Sequence, residues 1–136
     1  MIKQIVRDTF FLAQKSEEAT KEDLYLAQDL QDTLVANRDN CVGMAANMIG
    51  VKKRAIIVNM GVADLVMFNP VLLNKSLPFD TKESCLSLTG ARPTRRYQKI
   101  EVSFLDKNWN QQTLTLTGLS AQICQHELDH LEGIII

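Results

Sequence analysis

The chain has 136 residues, which fits one domain, 1–136, large enough to bury a core without disulfide staples. A net charge of -1 with 23% charged residues excludes the strongly basic footprint of a nucleic-acid-binding protein. Three cysteines follow no disulfide framework and no signal peptide or long apolar run is present, so we expect a protein of the reducing cytoplasm without membrane contact.

The first third of the chain predicts an arm followed by a helix. Residues 1 to about 19 carry apolar side chains without a clear period, and we expect an extended arm or short turns packed over the domain. Residues 20–23 resemble a capping box, with a hydroxyl cap and an acid three residues on. Apolar side chains then recur at three- and four-residue steps and predict an amphipathic helix that ends near Arg38, with these residues in the core: Leu24, Ala27, Leu30 and Leu34.

The middle of the chain predicts short β-strands. Residues 54–59 and 65–68 are typical of two buried strands, and the five residues between them are few enough for a hairpin. Asn69-Pro70 should break the second strand before residues 71–73 resume an extended course. Residues 77–80 are predicted to be a loop.

The last third predicts a hairpin and a helix. Residues 97–105 and 113–117 both alternate apolar and polar side chains, and a polar turn separates them. A final helix should follow, with Ser120 as its cap and Gly133 at its end. Three apolar side chains at four- and three-residue steps should bury this helix against the sheet: Cys124, Leu128 and Leu131.

The two histidines of the chain both lie on this final helix, in an H-E-x-x-H motif. Residues four apart share a helix face, so His126 and His130 can present two imidazoles to one metal ion while Glu127 stands beside them. A solvated helix that happens to carry two histidines is the alternative. The predicted elements give an α+β fold: mostly antiparallel short sheets packed around a C-terminal metal-binding helix, with an N-terminal amphipathic helix.

A hydrolytic metal centre usually has three protein ligands and one open position, so two histidines do not complete it. Cys85 is the most attractive third donor, because a thiolate binds divalent iron or zinc well. A buried apolar thiol is the alternative role for such a cysteine. The prediction is a site formed by Cys85, His126 and His130.

Three segments follow one another along the chain: Cys41-Val42-Gly43-Met44-Ala45-Ala46-Asn47-Met48-Ile49-Gly50, then Glu83-Ser84-Cys85-Leu86-Ser87, then Gln125-His126-Glu127-Leu128-Asp129-His130-Leu131-Glu132-Gly133. In this order and at these separations they resemble the motifs of the peptide deformylases, from about the N-terminus to Gly133. The resemblance implies a metal-dependent hydrolase that removes the formyl group from N-formylmethionyl peptides of nascent chains. It also implies one divalent ion, with Fe²⁺ expected and Zn²⁺, Ni²⁺ or Co²⁺ able to occupy the site.

The resemblance also implies roles for single residues. Glu127 would take a proton from the attacking water and later protonate the departing amine. The backbone N–H of Leu86 would donate a hydrogen bond to the formyl oxygen. Backbone groups of Val42 and Gly43 would bind the main chain of the peptide.

Acidic residues near the motifs have implied or candidate partners. In the family, the counterpart of Glu83 pairs with an arginine, for which Arg95 and Arg96 are candidates; Arg96 is preferred because it immediately precedes a tyrosine, as the family's arginine often does. Asp129 is a candidate acceptor for a histidine N–H, with a surface ion pair as the alternative. Gln125 is interpreted as a packing residue or as support for the metal ligands.

One departure from the family pattern bears on catalysis. Met48 stands where the family has a glutamine whose amide donates to the formyl oxygen, and a thioether has no N–H to give. The loss of one such donor typically costs roughly 3 to 4 kcal/mol. Asn47 carries an amide, but we expect it to point elsewhere. Cys41 and Ser84 replace family glycines and suggest local changes of the backbone.

The sequence leaves three hypotheses. The first is a working deformylase with weakened transition-state stabilisation. The second is a metal-binding paralogue that has lost catalysis and serves in peptide binding or regulation, which Met48 favours. The third, peptidase activity at a bare H-E-x-x-H site, is disfavoured by the cysteine motif. Ribosome docking through a C-terminal helix, common in the family, is not expected with Ile134-Ile135-Ile136 at the end of the sequence.

Overall fold

The computed structural model of the chain describes residues 1–87 and 89–136. Its helices are α1 (Thr9–Leu12), α2 (Tyr25–Ala36) and α3 (Gly118–Leu131), with 3-10 turns at Lys21–Asp23 and Ala46–Ile49. Its strands are β1 (Gly43–Ala45), β2 (Ala55–Asn59), β3 (Asp64–Ser84), β4 (Ala91–Leu105) and β5 (Gln111–Thr117). They form one antiparallel sheet in the order β1-β2-β3-β4-β5, which confirms the α+β prediction.

The sheet separates two hydrophobic clusters. Side chains of α2 pack with Ala55 and Ile57 of β2, whereas side chains of α3 pack with Ile56 and Val58 of the same strand. Because successive side chains of a strand point to opposite faces, β2 is apolar on both sides. The sheet therefore lies between α2 and α3, and α3 packs on the face lined by Ile100 of β4.

Helix α2 begins at Tyr25, one residue after Leu24, the first residue of the predicted apolar stripe. The capping box is present, since the N–H of Thr20 donates to Asp23 at 2.8 Å, but it caps the 3-10 turn that precedes α2. Leu26 is fully buried beside Leu30, while the predicted core residue Leu24 is only half-buried. The arm before it is extended apart from α1, as predicted.

The hairpin of β3 and β4 is longer than the sequence predicted. Residues 77–80, predicted to be a loop, lie inside β3, and Pro78 pairs with Tyr97. Asn69 does not end the strand either: it adopts a positive φ of 49° at an irregularity in the pairing register, and β3 continues. A β-bulge leaves one residue of the strand unpaired. A residue that would interrupt a regular strand can therefore be accommodated there.

The last hairpin and helix follow the prediction closely. β4 pairs with β5 across the polar turn, and Gly133, with a φ of 75°, ends α3. Ser120 is not the cap: Thr117 holds that position, and Ser120 lies inside the helix with its Oγ donating to the carbonyl of Asn59 at 3.5 Å. None of the helices in the described ranges is long and apolar enough to cross a bilayer.

Candidate metal centre

Three predicted ligands meet between the end of β3 and helix α3. The ring centroids of His126 and His130 are 4.7 Å apart, as expected for imidazoles one helical turn apart. Cys85 follows the last residue of β3, and its Sγ lies 3.4 Å from Nε2 of His130. One ligand atom from each residue lies within 4.8 Å of the others, and all three residues are buried. This cluster could hold a metal ion.

Backbone pairing brings the cysteine to the helix. β3 and β4 remain paired up to Ser84 and Ala91, so Cys85 emerges at the tip of a defined hairpin. Gln125 then joins β4 to α3: its amide donates to the carbonyl of Tyr97 at 2.7 Å and accepts from the N–H of Tyr97 at 2.8 Å. Gln125, interpreted as a packing residue or as support for the metal ligands, thus holds the histidine helix against β4.

Glu83 orients the first histidine. Its Oε1 accepts a hydrogen bond of 2.7 Å from Nδ1 of His126, which turns the opposite edge of that ring towards Cys85. Arg96 donates to both oxygens of Glu83 at 2.8 to 3.1 Å, which confirms the choice of Arg96; Arg95 pairs with the exposed Asp80 instead. Burial would raise the pKa of Glu83, but hydrogen bonds from His126, Arg96 and Gln122 outweigh it and lower that pKa to about 2.

Asp129 does not accept from a histidine. Its carboxylate accepts a hydrogen bond of 2.7 Å from Nη1 of Arg96, so it forms an ion pair, but with a buried arginine and not at the surface as the alternative predicted. This pair fixes the guanidinium from the helix side while Glu83 fixes it from the strand. The arginine thereby links β3, β4 and α3.

The electrostatics around the cluster suit a neutral imidazole at His130 and proton transfer at Glu127. Burial and the nearby His126 lower the pKa of His130 to about 3, which keeps its imidazole neutral. Glu127 is 4% exposed, and burial raises the pKa of its carboxyl group to about 7. Its Oε1 has no hydrogen-bond partner among the described residues. A carboxyl group with that pKa can both accept and release a proton near neutral pH.

A cleft of about 230 Å³ opens beside the cluster. Five residues predicted to act on or bind substrate all line it: Val42, Gly43, Met48, Leu86 and Glu127. Three residues of α3 that the sequence analysis did not assign to the site line it too: Leu119, Gln122 and Ile123. Gln122 could have been found from sequence, because it lies four residues before His126 and so shares its helix face.

Position 43 requires glycine because the neighbouring atoms leave no room for a side chain, and not because the backbone has an unusual φ. A Cβ at this position would lie 2.5 Å from Cγ2 of Ile123, 3.1 Å from Oε2 of Glu127 and 3.2 Å from the carbonyl of Ile57. Its φ is not in the left-handed region. The glycine lets β1 approach α3 beside the carboxylate.

The loop that carries Met48 shows how the departures from the motif are accommodated. Met48 is 1% exposed, and its Sδ accepts a hydrogen bond of 3.5 Å from the N–H of Ala45. Asn47 points away from the cleft, as predicted, and donates to the carbonyl of His130 at 3.0 Å. Burial raises the pKa of the Cys41 thiol to about 12, so the thiol is protonated and donates to the carbonyl of Gly43 at 2.7 Å.

The N-terminal arm contributes one contact that the sequence gave no signal for. Nη1 of Arg7 donates a hydrogen bond of 2.8 Å to the carbonyl of Leu86, directly after Cys85. The arm is also fastened to the same region by the N–H of Val6, which donates to the carbonyl of Met48 at 2.8 Å. Both contacts hold the walls of the cleft.

Comparison with known proteins gives one consistent result. The sequence profile of the polypeptide deformylase family matches residues 2–136. The chain is 57% identical to a peptide deformylase of Clostridium beijerinckii over 136 residues, 100% of both chains, and 39% identical to peptide deformylase 1 of Clostridium perfringens over 81% of this chain and 76% of that one. The crystal structure of the Ehrlichia chaffeensis peptide deformylase is similar with a TM-score of 0.87 and 30% identity, covering 98% of this chain and 84% of that one.

Proposed function

The chain belongs to the peptide deformylase family, metallohydrolases that cleave the C–N bond of a formamide, and on that premise we propose that it removes the formyl group from N-formylmethionyl peptides. The observation that carries the proposal is the buried cluster of Cys85, His126 and His130 beside the protonatable Glu127. We assign the first three residues as metal ligands and Glu127 as the general base and acid.

The donors in the cluster fit a divalent transition metal. One thiolate and two imidazoles suit iron or zinc better than magnesium or calcium, which prefer oxygen ligands. Fe²⁺ is the ion we propose, and Zn²⁺, Ni²⁺ or Co²⁺ can take its place, since affinity alone does not select iron. Cys85, His126 and His130 would hold such an ion, which would supply Lewis-acid chemistry: polarisation of the formyl carbonyl and a lower pKa for water.

Glu127 supplies the proton transfers. Its carboxylate accepts the proton of the attacking water and passes that proton to the departing amine, a task that suits a pKa of about 7. Burial keeps bulk water from competing for this proton, because Glu127 is 4% exposed. Its position beside Gly43 places it at the wall of the cleft.

The cleft positions the substrate. We propose that main-chain groups of Val42 and Gly43 bind the peptide, and that the N–H of Leu86 donates to the formyl oxygen as negative charge develops there. Met48 offers no second donor, so transition-state stabilisation should be weaker by roughly 3 to 4 kcal/mol than with a glutamine at that position. A backbone donor remains whatever side chain position 86 carries, which supports residual activity.

Formate release tests this function. Protein purified anaerobically and loaded with iron should release formate from a formyl-Met peptide. The Glu127→Gln variant should lose roughly 10²- to 10⁴-fold in rate while it retains its metal. A metal-loaded wild-type protein that releases no formate above the buffer rate would contradict the proposal.

A second candidate function rests on Met48. A paralogue without catalysis would bind formylated or free peptides in the cleft and serve a regulatory role. Peptide binding measured by calorimetry without any formate release would support this alternative.

A further inference from the structure

Gln122 makes a contact that the proposed chemistry does not use. It lies on α3 one turn before His126, and its Nε2 donates a hydrogen bond of 2.8 Å to Oε2 of Glu83. Oε1 of the same carboxylate accepts the hydrogen bond of 2.7 Å from Nδ1 of His126. Two side chains on one helix face therefore share one carboxylate.

The amide orientation of Gln122 is set by its partner. The carboxylate also accepts three hydrogen bonds from the guanidinium of Arg96, and this buried ion pair requires it to be ionised. An ionised carboxylate only accepts hydrogen bonds, so the amide must present its N–H₂ group to Oε2. The contact is then a hydrogen bond to a charged group, which is stronger than one between neutral groups.

The carboxylate is held from two directions. Arg96 reaches it from β4, and Gln122 reaches it from α3. Rotation of the carboxylate about its terminal bond would break the bond to Gln122 at the same time as the bond to His126. With Gln122 in place, Oε1 therefore stays aligned with the imidazole.

We propose that Gln122 is a positioning residue for His126, acting through Glu83 to set the affinity of the site for its metal ion. This inference rests on the proposed function in that it takes His126 to be a ligand. Acceptors that orient a ligating histidine typically change metal affinity by about 10- to 100-fold when they are removed. Gln122 acts one contact further out, so its removal should cost less.

The surroundings of Gln122 favour this role over simple solvation. The residue lines the cleft between two apolar side chains of the same helix, Leu119 and Ile123. A simply solvated glutamine would direct its amide to water. The amide of Gln122 instead points inward to the carboxylate of Glu83, which is 9% exposed. The contact also spans 39 residues of sequence, from α3 to the end of β3.

The test compares zinc affinity in two matched variants. Gln122→Met keeps an unbranched side chain of similar size and good helix propensity but has no N–H to donate. Gln28→Met makes the same change on α2. Gln28 donates a hydrogen bond of 2.7 Å to the carboxylate of Asp32, so the control also removes a glutamine–carboxylate contact, but an exposed one. Zinc affinity is measured by competition with a chelator, together with the melting temperature of the metal-free protein.

Gln122→Met is expected to raise the zinc dissociation constant by about 3- to 10-fold, less than the loss of a direct partner, whereas Gln28→Met leaves it unchanged. The Nδ1 proton of His126, observed by NMR in the zinc-loaded protein, should shift in the first variant only. Gln122→Asn, too short to reach Glu83, should repeat both effects.

Two outcomes would overturn the inference. Unchanged zinc affinity in Gln122→Met and Gln122→Asn, with or without a lower melting temperature, would leave Gln122 a merely structural residue. An unmoved His126 Nδ1 proton would show that the carboxylate keeps its alignment without the amide. Failure of the wild-type protein to bind zinc would instead contradict the proposed function, so the two failures are distinguishable.

Discussion

The side-chain amide of Asn47 donates a hydrogen bond of 3.0 Å to the main-chain carbonyl of His130, 83 residues away in sequence. The last four carbonyls of an α-helix lack partners within the helix; the carbonyl of His130 accepts from the N–H of Gly133 at 3.1 Å and also from Asn47 on the loop beside the cleft. Asn47 is fully buried. The loop of Met48 and the helix of the histidines are therefore joined by a contact that directs the amide of Asn47 away from the cleft.

Asn47→Ala should lower the free energy of unfolding by about 1 to 3 kcal/mol, because it leaves a buried carbonyl with one donor fewer and removes packed atoms. Urea unfolding of the metal-free protein measures the loss. Asn37→Ala is the matched control: Asn37 donates to the carbonyl of Thr33 at 2.8 Å at the less buried end of α2. Equal losses in the two variants would show that burial at Asn47 adds nothing.

Met48→Gln should raise kcat/KM for formyl-Met peptides by about 10²- to 10³-fold, because it adds a donor to the oxygen that becomes negatively charged. The gain should appear in kcat more than in KM, since the charge develops only in the transition state. Met60→Gln, outside the cleft, controls for the substitution itself. Equal rates in wild type and Met48→Gln would remove the role assigned to this position.

Gly43→Ala should lower both stability and activity. The added methyl would press on Ile123 and on the carboxylate of Glu127, and overpacking of this kind typically costs about 1 to 3 kcal/mol. Ile123→Ala removes the closest contacting atom and should restore part of the loss in the double variant. Thermal unfolding and formate release measure the two effects, and the absence of any coupling between the two substitutions would refute the crowding argument.

Asp64 should make stability depend on pH. Its carboxylate accepts from Arg38 at 2.7 Å, from Gln31 at 2.8 Å and from Asn59 at 3.0 Å, and the hydrogen bonds from Arg38 above all hold the pKa of Asp64 well below its ordinary value. A carboxyl group whose pKa falls on folding stabilises the protein above its unfolded pKa of about 4, and this contribution is lost as the pH falls further.

Asp64→Asn should therefore cost about 1 to 2 kcal/mol at pH 7 and progressively less as the pH falls below about 4 towards the lowered folded pKa, because the wild type loses the same contribution over that range. Urea unfolding at a series of pH values measures the difference. Asp80→Asn, in an exposed pair with Arg95, should change stability by less than about 0.5 kcal/mol at each pH of the series. A cost at Asp64 that does not vary with pH would contradict the shifted pKa.

The sequence predicted correctly the helices and strands that depend only on the pattern of neighbouring residues. The spacing of His126 and His130 requires only a helix, and the alternation of β4 and β5 requires only a hairpin with one buried face. Leu77 shows where such reasoning ends: its neighbour Pro78 favours a loop, yet a positive φ of 63° at Leu77 and the pairing with β4 keep the chain in the strand. Tertiary pairing outweighs local preference there.

The site followed the same rule. The proposed ligands and Glu127 could be predicted from the sequence because their residue types and spacing are typical of a metal site. The contacts of Arg7, Asn47 and Asp129 were not, because each depends on which side chain of another element happens to face it. Gln122 and Ile123 did have a sequence signal, their positions three or four residues before His126 on α3.

The central claim is that Cys85, His126 and His130 hold one divalent ion together. X-ray absorption at the zinc edge of the zinc-loaded protein tests it most directly. The account predicts one sulfur ligand at about 2.3 Å and two imidazole nitrogens at about 2.0 Å, with the sulfur lost in Cys85→Ser. A bound zinc ion without any sulfur neighbour in the wild-type protein would contradict it.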